Sequence, residues 1–550
     1  MTIHHNPRGT VHPAAKMYAA EHEAGQLSRR EFMTRATALG LSSSAAFGLI
    51  GLPVPARAES HAQMGGTLRM EMETKAMKDP RLADWGEIHN FYRGWLDYLA
   101  QYEADGSITP MLLESWEAND DATQFTLKVR PGVIWNNGDP FTAEDVARNI
   151  ALWCDGTVEG NSMASRMVQL VDPETNMARE GAIEVIDDLT VRLNLAAPDI
   201  TVIVSMADYP AAIVHSSFDG GDPSANPIGT GAYLPVVNEV GVRQVLERNP
   251  DHTWWGTEVF GGPYLDRIEY IDYGTDPAAK VAAAESGEID ITYETTGDFI
   301  DIFDAIGWQK SEVVTASTIV VRFNQDSPPF DNRDVRRALQ MAVDNEIVLE
   351  LGYSGRGEVA ENHHVCPIHP EYAQVDGPAY DPAAAKAMLD EAGFGDETFE
   401  LISLDDAWQA STCDAVAAQL RDAGIDVQRR VMPGSTFWNG WLEYPFSATD
   451  WAMRPLGVQV LALAYKSGVP WNETAYSSEE FDALLAEAMS LADVEARREV
   501  MARIETLLQE DGVVIQPYWR SIFRHYTDRV QGAEMHPSFE HHHYRWWIKA

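Results

Sequence analysis

The chain has little cysteine. Its 550 residues include three, Cys154, Cys366 and Cys413, with no Cys-x-x-Cys pair and no histidine at zinc-finger spacing. A disulfide framework is therefore excluded. A single Cys366 to Cys413 bridge stays open, although the odd count and wide spacing favour buried thiols. Basic residues are also scarce: 41 Lys and Arg against 84 Asp and Glu give a formal charge of -43. So acidic a surface repels nucleic-acid phosphates and anionic headgroups, and neither is expected as a partner. The acidity is spread along the chain with no acidic tail, which fits solubility in a salty compartment. Long apolar runs are missing as well, and no segment approaches 18 consecutive apolar residues. Gly-x-Ser-x-Gly, His-Glu-x-x-His, a P-loop and a Gly-x-Gly-x-x-Gly in strand-helix context are all absent. No enzyme and no cofactor are expected; a secreted metallohydrolase using the histidines is the one enzymatic alternative.

Against these absences stand 45% hydrophobic residues and 16 tryptophans, the composition of a folded protein with length for two or three domains. Residues 28 to 34, Ser-Arg-Arg-Glu-Phe-Met-Thr, come close to the twin-arginine export consensus. A mildly apolar stretch from Ala36 to Leu52 follows, and Pro55-Ala56-Arg57-Ala58 reads as a small-x-small cleavage site. Residues 1 to 58 are therefore expected to be a twin-arginine signal peptide. The mature chain would begin at Glu59, soluble in a periplasm and with no lipidated cysteine.

Later segments have local logic. Phe125-Thr-Leu-Lys-Val129 alternates like a half-buried strand, and Pro131-Gly132 turns it. Val133-Ile134-Trp135 reads as a further strand, Asn136 to Asp139 as a turn, and Thr142 with Asp145 as a helix N-terminus. Ser286-Gly287 ends one helix before the strand Ile289 to Ile291. Asp381, Pro382 and Gly393 mark the start and end of another helix. Alternating strands and helices of this kind predict α/β lobes.

The run from Phe125 to Val146 closely resembles the signature of the family 5 bacterial solute-binding proteins, the peptide, nickel and opine receptors of ABC importers. The resemblance continues in order through Pro227 to Tyr233, Pro263 to Ile268, Glu285 to Asp290, Phe323 to Leu339 and Tyr380 to Gly393. It implies an α/β, two-lobed periplasmic binding protein of type II, peptide-receptor-like, with an additional inserted subdomain and hinge closure. Lobe I would comprise 62–98, 223–314 and 516–550, the insert 99–222, and lobe II 315–515. The implied partners are a small-molecule solute and the membrane permease and ATPase subunits of an ABC transporter, with the receptor itself a monomer.

A solute would lie between the lobes. The richest candidate lining is 403 to 472, where Trp408, Trp438, Trp441, Trp451 and Trp471 accompany Arg454, Tyr465 and Asn472. Stiff aromatic area of this kind suits a cleft and stacks on cations or planar groups. The segment Thr449 to Pro455 aligns by position with the one in which peptide-binding relatives place an aspartate for the ligand's ammonium; here Arg454 stands close to that place. A guanidinium there suggests a carboxylate-bearing solute, such as a peptide, amino-acid derivative or opine-like acid. His363, His364 and His369, and His536 with His541 to His543, raise a nickel or metal-chelate receptor as the alternative. Adjacent histidines on a strand face opposite ways, however, and no residue is assigned as a metal ligand.

Overall fold

The structure is a computed structural model that describes residues 11–52, 62–119, 122–199, 201–369, 371–377, 379–491 and 494–549. A 12-stranded sheet runs through it. Five strands make one end: Tyr233–Glu239, Arg243–Arg248, Arg267–Ile271, Thr67–Glu71 and Ile291–Thr292. Phe446–Trp451, Thr398–Leu404 and Asp426–Met432 make the other. Two antiparallel strands between them, Gln309–Phe323 and Tyr518–Tyr526, join the ends.

Each end follows from its residues. Leu68 and Met70 alternate into the core along Thr67–Glu71, which pairs in parallel with Arg267–Ile271. Thr398–Leu404 and Asp426–Met432 are also parallel, and the helix Ala407–Asp422 supplies the crossover that such a pair requires. Phe323, Phe330 and Phe446 stack beneath this second end. A separate four-stranded antiparallel sheet is made by Leu113–Ala118, Gln124–Val129, Thr190–Asn194 and Ile183–Asp187, with the helix Ala143–Trp153 nearby. The α/β, two-lobed architecture expected from the sequence is the one the chain adopts.

Local expectations hold at most positions. Asp381 caps the helix Pro382–Ala392 by accepting from Ala384 N at 2.8 Å, and Gly393 ends it with φ +85°. Thr142 N donates to Asp145 Oδ2 at 3.0 Å, closing the helix start. Val133 to Trp135 is different: only Ile134 bridges, to Pro140. The turns on either side leave three residues between them, and Trp135 N donates instead to Asp139 O at 2.9 Å, inside the loop.

The joining strands are irregular where they cross. Their register slips between Val314 and Thr318, a β-bulge that bends the strand. Thr315 Oγ1 takes up the slack by donating to Arg520 O at 2.9 Å and accepting from Ser317 N at 2.9 Å.

The N-terminal segment is docked on the body. Residues 11–52 form the helices Pro13–Glu23, Arg29–Ala38 and Ser43–Leu49. Residues 31–39 are buried without a break. The expected cleavage site, Pro55 to Ala58, lies outside the described residues. All three cysteines are free and buried, so the Cys366 to Cys413 bridge does not form, and burial pushes the Cys154 and Cys413 thiols up to about 12. Among the described residues no helix is long and apolar enough to cross a membrane.

Candidate ligand-binding site

Between the two ends of the sheet lies a chamber with about 190 Å³ of free space. All five tryptophans of the 403 to 472 region line it: Trp408, Trp438, Trp441, Trp451 and Trp471. Each is fixed by a specific neighbour. Trp451 Nε1 donates to the buried Glu473 at 2.7 Å, and Trp471 Nε1 to Asp84 at 3.1 Å. Arg520 stacks on Trp408 at 3.9 Å. Trp438 packs at 4.1 Å against Trp85, which comes from the opposite lobe, and Trp441 lies 5.7 Å from the same ring. Such rings offer rigid area at low entropic cost, and their faces attract cations.

Two expected residues lie elsewhere. The Tyr465 hydroxyl is buried against His364 Nδ1 at 2.8 Å. Asn472 is spent on main-chain carbonyls, donating to Tyr476 O at 2.8 Å and Lys466 O at 3.1 Å. Both hold the loop that presents Trp471, and neither is part of the lining.

Arg454 does reach the lining, but its charge is already used. Its Nε lies 3.4 Å from Asp208, its Nη1 donates to Ala452 O at 3.0 Å, and the guanidinium sits 4.9 Å over the Tyr209 ring. Asp208 also pairs with Arg166 at 2.7 Å, and the two guanidiniums hold its carboxyl down at about 2 against the cost of burial. The expectation of a carboxylate on the solute, which rested on Arg454, loses its basis here.

The sequence reading missed the acidic wall. Glu71, Glu73, Asp84, Glu87, Glu294, Asp406 and Asp450 line the chamber. Four have partners: Glu71 with Lys280 at 2.7 Å, Glu73 with Lys75 at 3.0 Å, Asp84 with Lys78 at 3.0 Å, and Glu294 with Arg520 at 3.1 Å. Glu87, Asp406 and Asp450 form no ion pair among the described residues. Burial raises all three, Asp406 to about 7; Lys75, Lys280 and Arg520 oppose the rise at Glu87, Asp406 and Asp450 respectively, and the acidic neighbours Glu73 and Glu294 add to it. Lys75 hangs between the lobes, 5.6 Å from the Trp85 ring and 5.8 Å from that of Trp438. One signal was available in the sequence: Glu71, Glu73 and Lys75 recur every second residue, opposite the apolar Leu68, Met70 and Met72, as one face of an extended segment does.

Among the described residues no histidine lines the chamber. His363, His364 and His369 are buried and hydrogen-bonded to Glu361, Tyr465 and Arg454 O. His536, Glu540 and His542 approach one another closely enough to hold an ion. Arg93, however, already pairs with Glu540 at 3.0 Å, and burial with the charges of Arg93, Arg545 and Arg524 keeps His536 neutral. A metal cation would enter a positive field.

A chamber between two lobes joined by two strands, walled by aromatic rings and carboxylates, defines a receptor that takes a small solute between its lobes. The chain belongs to the bacterial extracellular solute-binding proteins, family 5, whose middle region matches residues 107–472. It is a solute-binding receptor of an ABC importer. A probable peptide ABC transporter periplasmic-binding protein of Sinorhizobium fredii is 25% identical over 520 residues, covering 88% of this chain and 92% of that one. The fold is shared with the Escherichia coli murein tripeptide binding protein MppA (TM-score 0.78, 19% identity, 89% of this chain and 99% of that chain). It is shared too with NikZ from Campylobacter jejuni in complex with Ni(L-His) (TM-score 0.73, 19% identity, 88% and 99%).

Proposed function

We propose that the solute is a small organic cation, an amine or quaternary ammonium compound, held without chemical change. The observation that carries this reading is the unpaired set of Glu87, Asp406 and Asp450 in a chamber walled by tryptophans. Carboxylates held half-buried in such a chamber, with Lys75, Lys280 and Arg520 attracting them only from beyond ion-pair distance, are costly. An ammonium group between them removes that cost and stacks on the rings for about 2 kcal/mol more when desolvated. Trp408, Trp438, Trp451 and Trp471 remain ligand-contacting residues in this proposal, and Arg454 becomes a closing contact between lobe II and Asp208 of the insert. Zwitterionic peptides and amino-acid derivatives fit through their ammonium ends.

The lobe division at 62–98, 223–314 and 516–550, 99–222, and 315–515 is part of the same reading. So is a periplasmic receptor, exported by the twin-arginine route with residues 1–58 removed, that acts as a monomer. The leader motif at Ser28 to Met33 supports the export route, and the periplasmic-binding relative supports the compartment. A nickel or metal-chelate ligand has less support, since no histidine among the described residues lines the chamber.

Thermal unfolding against two sets of compounds tests the ligand class: amines, basic amino acids and quaternary ammonium compounds in one, carboxylic acids lacking an amine in the other. A ligand at 100 times its Kd stabilises the native state by about 2.7 kcal/mol. Stabilisation by the acids alone would overturn the reading. Amino-terminal sequencing of exported protein and its elution volume on size exclusion check the leader and the oligomeric state.

A further inference from the structure

The docked N-terminal segment lies across a seam in the receptor. On the insert side Trp116 Nε1 donates to Thr37 O and Ala38 O, both at 3.0 Å. Ile108 N donates to the Thr37 hydroxyl at 2.9 Å, and Arg30 to Ala104 O at 3.0 Å. The fit is close at backbone level. At Gly106 (φ +92°) a Cβ would lie 2.2 Å from Arg30 Cγ, and at Gly40 (φ +90°) 2.3 Å from Trp116 O. On the lobe II side Arg498, from the helix Val494–Glu510, donates to Gln26 O at 2.5 Å, and Arg35 faces Arg497 and Glu371. Within the segment, Phe32, Met33 and Ala36 are fully buried against the body.

One feature resists this docking. Arg35 is 2% exposed, yet none of its three guanidinium nitrogens has a hydrogen-bond partner among the described residues; the Tyr18 ring at 5.2 Å and the carboxylates of Glu371 and Glu31 offset its burial and the repulsion of Arg497 only in part. Arg497 Nη1, Asp199 Oδ2 and Glu371 Oε2 are also buried without hydrogen-bond partners. Apolar burial holds the segment down, while unsolvated charge at the seam favours water entering and lifting it.

We propose that the segment 26–40 is a strap that holds the insert against lobe II, so that the uncleaved chain stays closed and does not exchange solute, and that its removal frees the hinge. The strap stands on the docked contacts alone. Its release by cleavage rests on the reading of residues 1–58 as a leader.

The test uses full-length protein purified from the cytoplasm, as wild type and as Phe32→Asp, with hydrogen exchange over 31–39 and small-angle scattering as readouts. Wild type should protect 31–39 and scatter as one compact form. Phe32→Asp should lose protection by about tenfold or more and populate a larger, open form. Arg35→Leu, which removes the unsolvated charge, should raise protection. Should Phe32→Asp fail to fold, a protease site placed within residues 53–61 lets the segment be cut from folded full-length protein, and the same expansion should follow. Loss of protection with unchanged scattering would overturn the strap, and so would an unprotected segment in wild type. Exported protein that retains its amino terminus would overturn the leader reading while leaving the scattering result intact.

Discussion

Arg454 shows how far a single residue can be read from sequence. Its type and place suggested a ligand carboxylate, but nothing within its own segment revealed Asp208, some 250 residues earlier, as its partner. Replacing Arg454 with Ala leaves Asp208 buried with only Arg166. Stability at neutral pH should fall by about 2 kcal/mol, less than the 3–5 of a pair broken outright. Chemical denaturation measures this loss, and any preference for amines over acids should survive the substitution. Asp406 gives a pH signature. Its folded pKa of about 7 lies above the usual carboxylate value, so the empty native state holds a proton that the unfolded chain has lost. Its contribution to stability therefore declines as pH rises from about 4 to about 7. Asp406→Asn should flatten that part of the unfolding profile, and amine binding to wild type should tighten over the same pH rise.

At the scale of elements, caps and turns were legible because they are local. Asp381 to Gly393 needed only its own residues, whereas Val133 to Trp135 has strand composition but too little room between two turns to pair. The chamber's tryptophans were legible as a cluster because they crowd one region. Its acids were not, because they come from five separate stretches whose meeting depends on the sheet order. The family motif Gly229-Thr230-Gly231 has a physical reason that shows only in three dimensions: a Cβ at Gly229 would lie 1.8 Å from Trp95 O. Gly229→Ala must displace backbone and should cost about 3 kcal/mol or more, read as a lowered midpoint in urea.

For the whole molecule, the charge of -43 is the property most legible in the sequence, and the structure concentrates part of it where the solute lies. Salt should therefore act in two directions. Raising ionic strength from about 0.01 to 0.15 M shortens the Debye length from about 30 to 8 Å. Repulsion within the empty protein should ease and its thermal midpoint should rise, while affinity for a cationic probe falls, mainly through a slower association rate in stopped-flow fluorescence.

The three separate, buried thiols have a consequence for the chain's history. With all three held apart from one another, the fold contains no sulfur–sulfur bond and does not depend on whether its surroundings are reducing or oxidising. Its folding needs neither a thiol oxidant nor a disulfide isomerase, so either compartment can supply the finished fold.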